Sequence, residues 1–396
     1  MKIRGILLFL LSFLLLLTNC QKPYQPAIVS VNPNYLVVEG FINSGADSTF
    51  ITLSRTALLN SKTINKETGA TLTIESDKND IYPLTEVKPG IYSTANLNLP
   101  TDRNYRIHIF TVANKEYVSD YVANKTSPPI DSVYYVPLTA GVQFYVSTHD
   151  PSNKTHYYKW DYDETWTYFS VYTSQLIYRN HKLNFRDPDS LVNTCYRHAT
   201  PSNSFYVSTS TSLGQDVIAH FPIGYVPASS GKITHVYSLN VKQTAITAEA
   251  FKYWQNLKKN TEQLGSIFDP FPSTTLGNMH CLNDPKAGVL GFISVSTQTT
   301  RRIFFAGRSL PYHYPRYVPP PEPSECVAGF LPLEPLATLP AREEHTFFSG
   351  DTIPTVVVED RATFKVIGYS YATKICVDCR VVGGTNIRPP YWPVGL

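Results

Sequence analysis

Tyr35-Leu36-Val37-Val38-Glu39-Gly40-Phe41-Ile42, followed by Phe50-Ile51-Thr52-Leu53-Ser54-Arg55-Thr56, sets the fold class. Both runs are rich in β-branched and aromatic residues, which suit a pleated, half-buried surface. The second alternates apolar and polar side chains at period two, which puts one set on a core and the other in water. The same alternation recurs in residues 70–75 and 104–110, where Tyr105, Ile107 and Ile109 share one face. Lys88-Pro89-Gly90 is a turn signal before Ile91-Tyr92, and residues 116–122 read as a further strand. Short strands at regular spacing, divided by Gly, Pro and Asn, predict an immunoglobulin- or transthyretin-like β-sandwich over residues 32–126. Ser127-Pro128-Pro129 marks its end.

Strand patterns resume in residues 143–147 and in the aromatic-dense residues 156–172, then in 290–296, 302–305, 355–359 and 363–367. One segment has helical periodicity instead. Thr247 is placed as an N-cap, with Ile246 and Phe251 as a hydrophobic staple. Phe251, Trp254, Leu257, Thr261 and Leu264 follow at spacings of three and four, and Gly265 is a stop signal. The spacing predicts an amphipathic helix near 247–264, and residues 311–323 are a proline-rich extended loop. Residues 130–396 therefore read as a larger β-rich domain with one helix, and the chain as mainly β. Composition agrees: 27 Tyr stand against 2 Met, and 30 Pro with 20 Gly suit many turns. A hydrophobic content of 42% with 16% charged residues excludes wholesale disorder.

Residues 1–19 read as an address. Lys2 and Arg4 precede an apolar run from Gly5 to Leu17, and Leu17-Thr18-Asn19-Cys20 closes it. This is the pattern of a bacterial lipoprotein signal peptide, too short for a comfortable membrane-spanning helix. Cleavage before Cys20 would leave that cysteine acylated, with residues 20–31 as a tether and the protein anchored in the membrane by lipid. The alternative is a plain secretory signal with Cys20 structural. The formal charge of +3 falls further once Lys2 and Arg4 are lost. No basic field for nucleic acid remains.

The chemistry-bearing candidates are few. Cys195, Cys281, Cys326, Cys376 and Cys379 remain after Cys20, and an oxidising envelope allows disulfides. An odd number leaves at least one thiol unpaired, metal-bound or intermolecular. Cys376-x-x-Cys379 reads best as stapling the C-terminal segment in a strand-and-turn setting, with Cys326 as one partner. Zinc held with His280-Cys281 and thiol redox chemistry are the alternatives. Asp161, Asp163 and Glu164 resemble a glycosidase pair only by proximity, and Asp187-Pro188-Asp189-Ser190 reads as a turn rather than a calcium loop. There is no G-x-S-x-G elbow, no H-E-x-x-H and no phosphate-cradling glycine motif. Glu39 and Arg55 suit a cross-strand ion pair. Tyr158, Trp160, Tyr162 and Trp166 are the candidate recognition aromatics, with part of that cluster expected in the core. No catalytic residue, metal ligand set or cofactor is assigned.

Leu36-Val37-Val38-Glu39-Gly40, Thr52-Leu53-Ser54-Arg55-Thr56 and Tyr237-Ser238-Leu239-Asn240-Val241-Lys242-Gln243 form an ordered series. It continues through residues 251–254, Gly277-Asn278-Met279, Gly291-Phe292, Arg301-Arg302-Ile303-Phe304, Cys376-Val377-Asp378-Cys379-Arg380, Gly383-Gly384 and Pro390-Tyr391-Trp392. From about residue 24 onward the chain resembles the family named domain of unknown function 4249, lipoproteins of Bacteroidota. The resemblance carries over no catalytic residues. It implies outer-membrane anchoring and an accessory role beside a TonB-dependent receptor. Gln21-Lys22-Pro23 lacks the acidic residues typical of surface export, so the periplasmic and surface faces both stay open. The expectation is a non-enzymatic binding or accessory lipoprotein, capturing a nutrient or serving as a structural subunit. The alternatives are an envelope hydrolase or metalloprotein of unfamiliar type, or a surface adhesin.

Overall fold

In the strand Leu36–Asn43, Leu36, Val38 and Ile42 are buried while Glu39 is exposed, as the alternation requires. The computed structural model describes residues 34–57, 64–201, 205–262, 277–285, 287–312, 314 and 326–393. Leu36–Asn43 pairs antiparallel with Thr49–Arg55, Val38 opposite Leu53 and Gly40 opposite Ile51. The strand Ile81–Lys88 joins two layers. Its first half pairs with Thr71–Ser76 and its second half with Ile91–Thr94. Leu36, Val38, Ile51 and Leu53 then meet Leu72, Ile74, Ile107 and Ile109 in one apolar core. This is the expected N-terminal sandwich.

Its boundary differs from the sequence expectation. Met279–Cys281 pairs antiparallel with Glu116–Ser119, and Val289–Leu290 and Val295–Ser296 run parallel to Leu36–Asn43. The first sandwich is therefore completed by residues 279–296 and is not closed at residue 126. Those strands are two or three residues long, so they leave almost no periodic signal.

A second sandwich follows. A three-stranded sheet of Ile130–Leu138, Gly141–His149 and Val217–Pro227 faces a five-stranded one. The latter orders Thr194–Ala199, Tyr157–Phe169, Val236–Ala245 and Gln298–Ala306, with Tyr206–Thr209 also on Tyr157–Phe169. Val133, Val142, Phe144 and Val146 meet Tyr158, Trp160, Tyr237, Leu239 and Phe305 between them. The four candidate recognition aromatics need correction here. Tyr158 and Trp160 are fully buried, and Tyr162 and Trp166 nearly so. They occupy the inward face of Tyr157–Phe169, and burying such large rings outweighs displaying them.

The C-terminal portion adds a sheet ordered Ala328–Pro332, Val366–Thr373 and Thr352–Glu359. The last strand therefore starts at Val366, and Thr363 lies in the preceding turn. The predicted helix is α1 (Ala248–Glu262). Two further helices were not anticipated, α2 (Leu339–Phe347) and the single turn α3 (Lys374–Val377). Gly265, Leu264 and most of the proline-rich loop lie outside the described residues.

Gln243 ties the second sandwich together. It is fully buried. It accepts from the Trp160 indole N–H (2.8 Å) and donates to Pro128 O (2.8 Å) and Thr148 Oγ1 (3.0 Å). Gln243→Leu keeps the volume but leaves the buried indole N–H unpaired. Chemical denaturation is expected to show a loss of roughly 2–3 kcal/mol. A variant as stable as the parent would show that this hydrogen-bond hub contributes nothing.

Candidate binding site

The helix α1 starts as its sequence dictates. Thr247 Oγ1 accepts the Ala250 N–H at 3.2 Å, an N-cap bond, and Ile246 and Phe251 join the same apolar cluster. That cluster includes Phe292 from the first sandwich and Tyr157 and Val207 from the second. The helix is thus a wedge at the junction. Tyr253 lies against Phe292 at a centroid distance of 5.2 Å, and Lys159 Nζ sits 4.8 Å over the Trp254 ring.

A groove opens on each side of this wedge, and Tyr253 and Phe292 belong to both. The larger cleft is about 660 Å³. Its walls carry Asn104, Asp120 and Tyr121 from the first sandwich, and Glu249, Lys252 and Asn256 from the helix. The smaller groove is about 500 Å³ and includes Glu39, Phe205, Trp254 and Leu257. Both volumes fall in the range of small-molecule sites. Rings beside amides and both signs of charge suit a small polar ligand with a flat face.

Electrostatics and close packing hold this arrangement. The N–H and hydroxyl groups at the start of α1 keep the Glu249 carboxyl below its ordinary value. Burial, helped by the charge of Glu39, pushes the Tyr253 phenol up. His280 Nε2 lies 2.9 Å from Asp120 at the cleft edge. Asn278 clamps Ile293 from both sides, donating to its carbonyl (2.9 Å) and accepting its N–H (2.8 Å). A Cβ on Gly277 would lie 1.6 Å from the Gly291 carbonyl oxygen, so the close approach of these two backbones requires glycine at 277.

The other sequence candidates are accounted for elsewhere. Cys195 bonds Cys379, Cys326 bonds Cys376, and among the described residues Cys281 is the free thiol. The C-x-x-C thus joins two different partners, which removes both the zinc and the redox alternatives. It sits on α3 and the following 3-10 turn rather than on strand and turn. Among the described residues no group of three or more His, Cys, Asp or Glu is placed to hold a metal ion. Each carboxylate of the aromatic strand is neutralised. Asp161 meets Lys159, Asp163 meets Lys242 (2.6 Å), and Glu164 accepts from Lys232 and from the Tyr237 hydroxyl (2.8 Å). Glu39 and Arg55 do not pair. Glu39 stands opposite Thr52, and Arg55 takes Glu67 at 2.6 Å. A Ser210, His156 and Asp216 cluster has no sequence motif to mark it, because His156 lies 54 residues before Ser210. Ser210 is fully buried and donates to Asp216, not to His156, so it is not poised as a nucleophile. Cys20 lies outside the described residues, and among those no helix is long and apolar enough to cross a membrane.

Three aspartates contribute to the acid limit of the fold. Burial works to raise Asp163 and Asp378, but hydrogen bonds from Lys242 and Thr200, and from Arg380, hold both below the ordinary carboxylate value. Burial also opposes ionisation of Asp150, yet Ser152 and the Lys154 N–H bring it down to about 2. Depressed carboxyl pKa values give stability that is present above the unfolded value and lost as protons bind the folded form. The thermal midpoint, followed by circular dichroism, is expected to fall steeply between about pH 4 and about pH 2. A flat profile across that window would contradict these assignments.

No curated protein matches the chain. Among solved structures, the FN1–FN3 domains of chicken CNTN1 align at 11% identity over 53% of this chain and 62% of that chain. The TM-score of 0.16 is too low to carry an argument. A family match covers residues 21–302 and so takes in the first sandwich, α1, both grooves and most of the second sandwich. On that span the chain belongs to the family described as Domain of unknown function (DUF4249).

Proposed function

We propose that this protein is an outer-membrane-anchored binding lipoprotein. In this reading it holds a small polar ligand in the cleft beside α1 and works with a TonB-dependent transporter. The cleft carries the reading. It lies at the junction of two sandwiches, lined by Tyr121, Tyr253 and Phe292 beside Asn104, Glu249, Lys252 and Asn256. Such a mixture recognises a ligand by stacking and hydrogen bonds, while the carboxylates that suggested hydrolysis are engaged in ion pairs. The signal-like residues 1–19 and Cys20 support the anchor. The transporter association rests on the family resemblance.

Extraction of the tagged chain from its own membranes in mild detergent tests the partnership. A TonB-dependent receptor is expected to co-purify in stoichiometric amount. A chain that elutes alone would overturn the transporter part and leave ligand capture to be judged at the cleft.

A further inference from the structure

We propose that a second cavity, at the opposite end of the five-stranded sheet from α1, binds a ring-bearing organic anion through a carboxylate or phosphate. The cavity is about 370 Å³. Its floor is the outward face at the end of Tyr157–Phe169 together with the neighbouring strands Thr194–Ala199 and Val236–Ala245. Residues 388–393 fold across that face. Trp392 is buried there, edge-on to Tyr196 at 5.2 Å and to Phe304 at 5.4 Å.

Charge distinguishes this cavity from the cleft. Arg308 and Arg388 stand in its wall with His235, and among the described residues no Asp or Glu lines it. No salt bridge among the described residues neutralises either arginine. The Arg388 Nη2 donates to the Trp392 carbonyl oxygen at 2.7 Å, which fixes the guanidinium beside the opening. The chain as a whole is near neutral, so two unneutralised guanidinium groups in one pocket are a local feature rather than part of a basic surface. A guanidinium fork matches the planar carboxylate and the phosphate, and Phe169, Tyr196 and Trp392 supply flat apolar faces for the body of the ligand. The cleft beside α1, by contrast, sets Asp120 and Glu249 against Lys252 and so offers no comparable cationic patch.

Calorimetric titration of the full chain in detergent with phenyl phosphate, benzoate and the neutral benzyl alcohol tests this. Saturable binding of at least one anion, without binding of the alcohol, is expected, and the tighter anion identifies the preferred headgroup. Arg308→Gln, at an exposed position, is expected to weaken anion binding by about tenfold or more while the melting temperature stays at the parent value. Arg388→Gln is expected to act in the same direction. Equal binding of benzyl alcohol, unchanged affinity in Arg308→Gln, or no saturable binding of either anion up to about 10 mM would overturn the proposal.

Discussion

Replacing Cys195 and Cys379 together with serine lowers the unfolding free energy by about 3–5 kcal/mol. The bond closes a loop of 184 residues in sequence separation, and the chain-entropy estimate for such a loop is about 5 kcal/mol. Its surroundings depend on it as well. Cys195 and Cys379 are both buried against Tyr168, whose hydroxyl donates to the Cys379 carbonyl oxygen at 2.6 Å. Gly384 lies so close to Tyr168 that a Cβ there would stand 2.1 Å from the phenol oxygen. Without the bond, the segment that carries residues 388–393 over the five-stranded sheet loses its covalent hold. The double serine variant leaves no unpaired partner to form a wrong bond. Urea denaturation of parent and variant reads the difference, and a loss below about 1 kcal/mol would show that packing alone holds the segment.

Gly291→Ala is expected to cost roughly 2–4 kcal/mol and to disturb the cleft. Gly291 has φ +141°, a region that a side chain makes costly, and a Cβ would stand 2.2 Å from the Val38 carbonyl oxygen. That oxygen belongs to backbone in the strand Leu36–Asn43, so neither side yields cheaply. The next residue is Phe292, which walls both grooves and meets Tyr253. A shift at Gly291 is therefore transmitted to the binding surface. Gly214→Ala is the control, because nothing lies within 4 Å of a Cβ at that position. Denaturation is expected to separate the two variants clearly. Equal stability would mean that the backbone contact at Gly291 is readily relieved.

The sequence was legible where the physics is local. The alternation of residues 50–56 and 104–110 predicted strands that exist, and the Thr247 cap and the Ile246–Phe251 staple placed the start of α1 correctly. What it hid is non-local. Met279–Cys281 joins the first sandwich across more than half the second domain's sequence, with three residues of strand to announce it. The two grooves form only once Phe292 and Tyr253 meet, so no periodic pattern marks them. Alternation places part of the aromatic cluster in the core, but it does not show that all four candidate rings face inward, because the partners that enclose them, such as Gln243 on Trp160, come from later strands. Arg55 found Glu67 rather than Glu39, because register sets Glu39 opposite Thr52.

Native mass spectrometry of the chain released from its own membranes tests the role of the cleft most directly. The account predicts that the parent retains a small-molecule adduct, and that the adduct is lost in the solvent-facing variants Tyr121→Ala and Lys252→Ala while their melting temperatures stay close to that of the parent. A parent chain with no adduct, or an adduct held equally well by both variants, would contradict it.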